Sequence, residues 1–339
     1  MRIGFNPNKD RLQEPNDFYH QVIIPVHIPN QEGYFKDSFK ILQLCLESLL
    51  KTSHSKTYIV LVNNGSCIEV INYLDDLYQQ GKIHELIHTS PIGKLNAILK
   101  GLAGHNFDLV TISDADVLFL NDWQKETYTV FENFKKAGVV SPVPSSKMLK
   151  QFTGNIYLDN FFSKRLKFTK AKDKNSLQMF ASSIGNIGFY KDIHLNKNLT
   201  ISNSDDSICA VIGAGHFIAT YKGNCFDGIK NRFSYYSLGG DSEKILLDKP
   251  AEDKGYWRLS TAGNYAYHMG NVLEDWMFET FSTIKENKTE INIPSNLINK
   301  PNTYFRPFAV FLFRIMSQRA IWKLFLRYKG LTKEEAKEY

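Results

Sequence analysis

Two acidic side chains one residue apart, Asp114 and Asp116 in VTISDAD, are the groups in this 339-residue chain whose type and spacing best suit chemistry. They lie within FDLVTISDADVLFL (107–120), an apolar run that reads as a buried strand with the carboxylates at its C-terminal end. Where a strand gives way to loop, an Asp-x-Asp can turn both carboxylates toward one ion. Mg²⁺ and Mn²⁺ prefer hard oxygen ligands and are commonly held by one or two carboxylates plus substrate phosphates. The pair would therefore seat a metal–diphosphate. The alternative is a structural turn in which Asp114 accepts a backbone N–H. Ligands bind off the carboxyl ends of strands in open α/β sheets, and that favours the metal.

The elements that must position this pair are legible as alternating periods. QVIIPVHIP (21–29), TYIVLVNNGS (57–66) and HELIHTS (84–90) read as three strands before the Asp-x-Asp strand. Between them, apolar residues at three- and four-residue steps predict helices over 37–51, 68–80 and 93–104. Strands alternating with helices imply a largely parallel sheet flanked by helices. Beyond Ser141-Pro-Val-Pro the pattern loosens, and 145–180 reads as a loop-rich insert. An apolar run over 208–221, a helix at 241–249 and a strand-like GNYAYHMGN (263–271) follow.

Composition sets the outer bounds. An apolar fraction of 43% and an aromatic fraction of 13% belong to a folded chain. Four cysteines with no C-x-x-C spacing argue against a zinc knuckle or a disulfide framework and fit a reducing compartment. No apolar secretory region opens the chain and no run reaches spanning length, so the expected location is the cytoplasm. From residue 300 onward nine Lys or Arg face three Glu, a local +6 equal to the formal charge of the whole protein. A neutral body with a basic tail suggests that the tail meets an anionic surface.

Five segments resemble, in order and approximate spacing, those of family 2 glycosyltransferases of the GT-A fold. VIIPVHIP is similar to the family's first strand, VLVNNGS to its V-D-D-G-S motif, and GKLNAILKGL to its G-x-x-x-A-x-N-x-G helix. SDAD matches the D-x-D, and GAGHFIATYK the acceptor-side G-x-G segment. The resemblance spans roughly 20–275. It implies an inverting, nucleotide-sugar-dependent transferase of bacterial surface-polysaccharide type, using Mn²⁺ or Mg²⁺.

By the same resemblance Pro25, His27, Asn63, Lys94 and Asp114 would contact the nucleotide sugar, and Asp114, Asp116 and His268 the metal. Asn63 stands where the family commonly has aspartate, although an amide carbonyl still accepts from a uracil N3–H. Lys94 is otherwise an ordinary solvated lysine, and His268 a core residue of its strand. Inversion needs a general base for the acceptor hydroxyl. Asp241, after Gly239-Gly240, is the first choice, with Glu243 and Asp253 as alternatives and helix capping as its structural role.

The expected layout is a GT-A domain over 1–290, with 20–140 binding the nucleotide sugar and 141–290 the acceptor. A linker and basic amphipathic tail would occupy 291–339. In the tail, Arg319, Lys323 and Arg327 form a basic stripe. Ala320, Ile321, Trp322, Leu324, Phe325, Leu326 and Tyr328 cover the remaining arc. That composition suits a helix lying on an anionic membrane over 304–329, where a polyprenyl-diphosphate-linked glycan or other saccharide acceptor would be presented. The alternative is that the arc packs on the catalytic domain. A sugar-1-phosphate nucleotidylyltransferase would need a Gly-rich first loop where PVHIPNQEGY stands, and a non-catalytic scaffold would not need the Asp-x-Asp. Nucleic acid is not expected, because the charge is confined to an aromatic-rich tail.

Overall fold

The structure, a computed structural model, describes residues 3–12, 17–229, 233–287, 292–294, 297 and 306–339. Numbered along the chain, the strands of its first half are β1 (His20–Val26), β2 (Thr57–Asn64), β3 (Glu85–Thr89), β4 (Leu109–Ser113), β5 (Val117–Phe119) and β6 (Ala137–Ser141). Helices α1 (Ser38–Thr52), α2 (Ile68–Gln79), α3 (Lys94–Leu102) and α4 (Trp123–Asn133) connect them. The second half contributes α5 (Gly154–Asn160), β7 (Leu166–Lys170), α6 (Lys174–Ser183) and α7 (Asp192–Asn196). After these come β8 (Lys197–Ser202), β9 (Cys209–Ile212), β10 (Ile218–Lys222), α8 (Lys249–Asp253), β11 (Trp257–Thr261) and β12 (Ala266–His268). Four helices end the chain: α9 (Asp275–Thr283), α10 (Arg306–Met316), α11 (Arg319–Tyr328) and α12 (Glu335–Glu338).

Ten strands form one sheet in the order β3-β2-β1-β4-β10-β6-β11-β9-β8-β7, and β5 pairs separately with β12. The β3-β2-β1-β4 half is parallel, while β10 runs antiparallel between β4 and β6. The inner parallel strands β1, β2 and β4 are buried and accordingly rich in Val, Ile and Leu, while the edge strand β3 (ELIHT) is only partly buried. The chain moves outward from β1 to β2 and β3, then returns to β1's other side as β4. The carboxyl ends of β1 and β4 therefore face connections that diverge, which opens a crevice there.

Two expectations change. Residues 107–120 are two strands, because β4 pairs with β10 in the main sheet while β5 leaves it to pair with β12. The 145–180 segment is ordered as α5, β7 and the start of α6, with Ile156, Tyr157 and Leu166 in the core. Its short elements are too small to leave a clear period in sequence.

A buried polar network crosses the sheet. His20 Nδ1 and His54 Nε2 each lie 2.7 Å from the Tyr128 hydroxyl, and His20 Nε2 lies 2.7 Å from Thr111 Oγ1. Burial lowers the pKa of His54 to about 4 and that of His20 well below its ordinary value, the latter aided by His54 itself. Unfolded histidines titrate near 6.5, so below that pH the unfolded chain binds more protons. The stabilisation is complete above about pH 6.5 and is lost as pH falls toward 4. Between pH 7 and pH 5 the urea midpoint should fall by the equivalent of about 2 kcal/mol from His54 alone, with His20 adding to it in the same direction. Equal midpoints would contradict this account.

The tail is built into the domain. Trp322, Phe325 and Leu326 share a core cluster with Tyr157, Leu259 and Ile156, so this part of the arc faces protein, each side chain contributing roughly 1.5–3 kcal/mol. Lys329 is likewise no surface charge: its Nζ donates to the carbonyls of Phe161 and Ser163 at 2.6 and 3.0 Å, just past the end of α5. Ile321, Leu324 and Tyr328 remain exposed, beside Arg327.

Candidate active site

The Asp-x-Asp sits where the chain changes sheets. Asp114 N–H donates to the Phe217 carbonyl at 2.8 Å, and Met269 N–H to the Asp116 carbonyl at 2.8 Å. The turn is thus clamped by the approach to β10 on one side and by the exit from β12 on the other. His268, the last residue of β12, pairs with Val117 and enters the same space. Ligand atoms of Asp114, Asp116 and His268 all lie within 4.8 Å of one another, and His268 Nε2 is 3.4 Å from Asp116 Oδ2. Among the described residues the buried Asp116 Oδ1 has no hydrogen-bond partner. An orphaned buried oxygen beside a second carboxylate and an imidazole fits a divalent cation of the Mg²⁺ or Mn²⁺ class. Burial pushes the Asp116 carboxyl up to about 6, with Asp114 adding to the rise and His268 and Lys94 opposing it. A cation would remove that penalty.

Lys94, the first residue of α3, is the other charge of the site. Its Nζ lies 2.6 Å from Asp114 Oδ1 and 2.7 Å from Glu243 Oε1. Burial works against its charge, but the two carboxylates outweigh burial and hold its pKa above the ordinary value. Gly93 makes this placement possible: it has φ +91°, and a Cβ there would lie 2.9 Å from Ser237 Cα. Lys94 N–H then donates to the Ser237 carbonyl at 2.9 Å, tying α3 to the loop that carries Glu243.

That loop is anchored from behind. Arg258 on β11 and Asp248 are both wholly buried, with Nη2 and Oδ1 2.6 Å apart. Asp248 closes a π-helical turn, Lys244–Asp248, that leads into α8. The expected helix over 241–249 thus starts one residue later, after Gly239, Gly240 and Asp241, all of which have positive φ (74°, 62° and 58°).

The remaining candidates separate. Pro25, His27, Lys94, Asp114 and Asp116 line a cleft of about 500 Å³, together with Tyr34, Phe35, Asn64, Ser237, Leu238 and Asn271. Asn63 lies behind it, 2% exposed, with Oδ1 accepting from Ser66 N–H at 2.9 Å and its amide nitrogen 2.9 Å from His88 Nδ1. Its neighbour Asn64 faces the cleft and accepts from Ile92 N–H at 2.8 Å. Asp241 is exposed and ion-paired with Lys244 at 2.6 Å, and Asp253 is paired with Lys249 at 2.6 Å. Glu243 is the acid turned inward. Burial opposes its ionisation, yet Lys94 holds its pKa below the usual range. The partnership of Lys94 with Glu243 was not legible in sequence. Arg258 carried a usable signal, a charge inside the otherwise apolar and hydroxyl-bearing strand WRLST.

The fold is an α/β sheet with a crevice at its switch point, lined by Asp114, Asp116 and the half-buried Lys94, with His268 beside the carboxylates. The sequence profile of glycosyl transferase family 2 matches residues 22–194, just over half of the chain. The chain belongs to that family, and its fold is the mixed α/β, GT-A arrangement. It is a glycosyltransferase by family. No curated protein matches the sequence significantly.

Among solved structures the chain is similar to TarS 1-349 of S. aureus in complex with UDP-GlcNAc, at 12% identity and a TM-score of 0.44, over 94% of this chain and 69% of that one. It is similar to the mannosyltransferase PcManGT from Pyrobaculum calidifontis in complex with GDP-Man and Mn²⁺, at 12% identity and 0.43, over 95% and 78%. GalNAc-T7 with UDP, GalNAc and Mn²⁺ gives 13% identity and 0.44, over 75% and 44%. Overlaps this loose transfer neither substrate nor metal.

Proposed function

We propose that the chain moves a sugar, with inversion, from a nucleotide-sugar donor to a saccharide or polyprenyl-diphosphate-linked glycan acceptor in bacterial capsule or lipopolysaccharide assembly. A UDP-sugar is the favoured donor and Mn²⁺ or Mg²⁺ the cofactor. The observation that carries the reading is the convergence of Asp114, Asp116 and His268 within 4.8 Å, on the side of the crevice where Lys94 lies 2.6 Å from Asp114. A divalent cation held there would neutralise charge on the departing nucleoside diphosphate.

The chain's own residues do the rest. Lys94 presents a fixed positive charge to the diphosphate, and Glu243 keeps it in place when the ligand is absent. We assign Asp241 as the general base. It takes the acceptor hydroxyl's proton as that oxygen attacks the anomeric carbon and the nucleoside diphosphate leaves. Three supports favour it over Glu243. Its carboxylate is open to an acceptor, its only described ion-pair partner is a surface lysine, and it follows two glycines with positive φ in a segment whose strain suits a functional loop. Glu243, neutralised by Lys94, is the weaker base. Stabilisation of the purified protein against heat by UDP-, GDP- or dTDP-sugars in Mn²⁺, abolished by EDTA, tests the donor assignment. A saturating ligand adds about 2.7 kcal/mol at a hundred times its Kd.

The surface-polysaccharide part of the reading draws on the tail. Among the described residues no helix is long and apolar enough to cross a membrane. The outward arc of α11 nonetheless sets Lys323 and Arg327 beside exposed Leu324 and Tyr328, and exposed Phe308 and Phe311 lie on α10. We propose that this face rests on the anionic cytoplasmic leaflet, each basic residue adding about 1 kcal/mol. Co-sedimentation with phosphatidylglycerol vesicles should fall at least tenfold for Lys323→Glu/Arg327→Glu at unchanged melting temperature. Equal binding to phosphatidylcholine vesicles would exclude the electrostatic part.

A further inference from the structure

We infer that Ser183, the last residue of α6, is a positioning residue that fixes the proton of His268 on Nδ1 and leaves Nε2 free for the metal. The inference rests on the metal site proposed above and extends it to a residue that does not touch the cation.

The argument is a count of protons. Ser183 Oγ lies 2.9 Å from the Phe180 carbonyl and 2.9 Å from His268 Nδ1. A carbonyl only accepts whereas a ring nitrogen can do either, and we assign the single hydroxyl proton to Phe180 on that ground. With that assignment the lone pairs of Oγ face Nδ1, which is then the donor. With Nδ1 protonated, neutral imidazole has its free lone pair on Nε2, the nitrogen 3.4 Å from Asp116 Oδ2. A metal-bound histidine takes its tautomer from the partner of its other ring nitrogen, and such partners commonly alter affinity 10–100-fold.

Independent geometry points the same way. The imidazole is held between two aromatic rings, with centroids 5.8 Å from Phe180 and 5.3 Å from Phe217 at interplanar angles of 71° and 73°. The ring cannot turn away without displacing them. Gly270, two residues after His268, has φ +74°, and a Cβ there would stand 2.6 Å from the Ser183 carbonyl oxygen. The backbone after β12 is therefore kept bare where α6 ends, and that lets the hydroxyl reach the ring.

The test uses the full chain. Long-range ¹H–¹⁵N spectra of metal-free protein, with the His268 signals assigned by their loss in His268→Gln, should show the proton on Nδ1 in wild type and redistribution toward Nε2 in Ser183→Ala. Mn²⁺ titration followed by electron paramagnetic resonance should give 10–100-fold weaker binding for Ser183→Ala, with recovery in Ser183→Thr and unchanged melting temperatures. A wild-type His268 protonated on Nε2 alone overturns the assignment, as does Ser183→Ala holding Mn²⁺ as tightly as wild type. Failure of wild type to bind Mn²⁺ sinks the metal site itself, while the spectra still decide the role of Ser183.

Discussion

Asp116→Asn should abolish Mn²⁺-dependent stabilisation by nucleotide sugars and lower turnover about 10³-fold, the equivalent of ~4 kcal/mol. The substitution keeps shape and removes one charge. In the free protein that charge is a liability, since Asp116 Oδ1 is buried without a hydrogen-bond partner among the described residues and burial raises its pKa. The variant should therefore melt at or above the wild-type temperature while losing ligand binding. This opposite movement separates a site residue from a structural one. A turn that merely capped a strand would behave the other way, losing stability and keeping binding. If the variant processes donor at the wild-type rate, neither the cation site nor the transferase reading survives, and a scaffold with the same fold becomes the better account.

Asp241→Asn should lower kcat by 10²–10⁴-fold, the usual worth of general base catalysis, with donor affinity intact. The fold should not notice, because the Asp241–Lys244 pair is exposed and such pairs are worth at most about 1 kcal/mol. Glu243→Gln is the companion. It removes one of the two carboxylates holding Lys94, at 2.7 Å, and so should weaken donor binding more than it slows the chemical step. Steady-state kinetics with saturating acceptor distinguishes the two. Should Glu243→Gln eliminate kcat while Asp241→Asn leaves it untouched, the roles exchange and the loop must be read with Glu243 as base.

How much of this was open to inspection in the sequence depends on range. The strands and helices from residue 20 to 104 follow from local periodicity, and the structure reproduces them with ends shifted by at most three residues: His20–Val26, Ser38–Thr52, Thr57–Asn64, Ile68–Gln79, Glu85–Thr89 and Lys94–Leu102. The 145–180 region failed because its elements run five to ten residues, too short to carry a period. The tail was half legible. Its amphipathicity is plain, but the same arc of Trp322, Phe325 and Leu326 would suit a membrane or a protein core, and the core takes them.

By itself the sequence determined the parallel α/β half, the Asp-x-Asp and its approximate place at a strand end, because these are encoded by neighbours in the chain. Only the tertiary structure decided that the pair sits where β4 and β5 part into different sheets. Only it could bring His268 across 152 residues to Asp116, join Lys94 to Glu243, and turn Asn64 rather than Asn63 toward the cleft. Those distances are set by strand order, by a buried Arg258–Asp248 pair and by glycines at close backbone crossings. Such facts concern which distant segments share space, and no local pattern of residues records them.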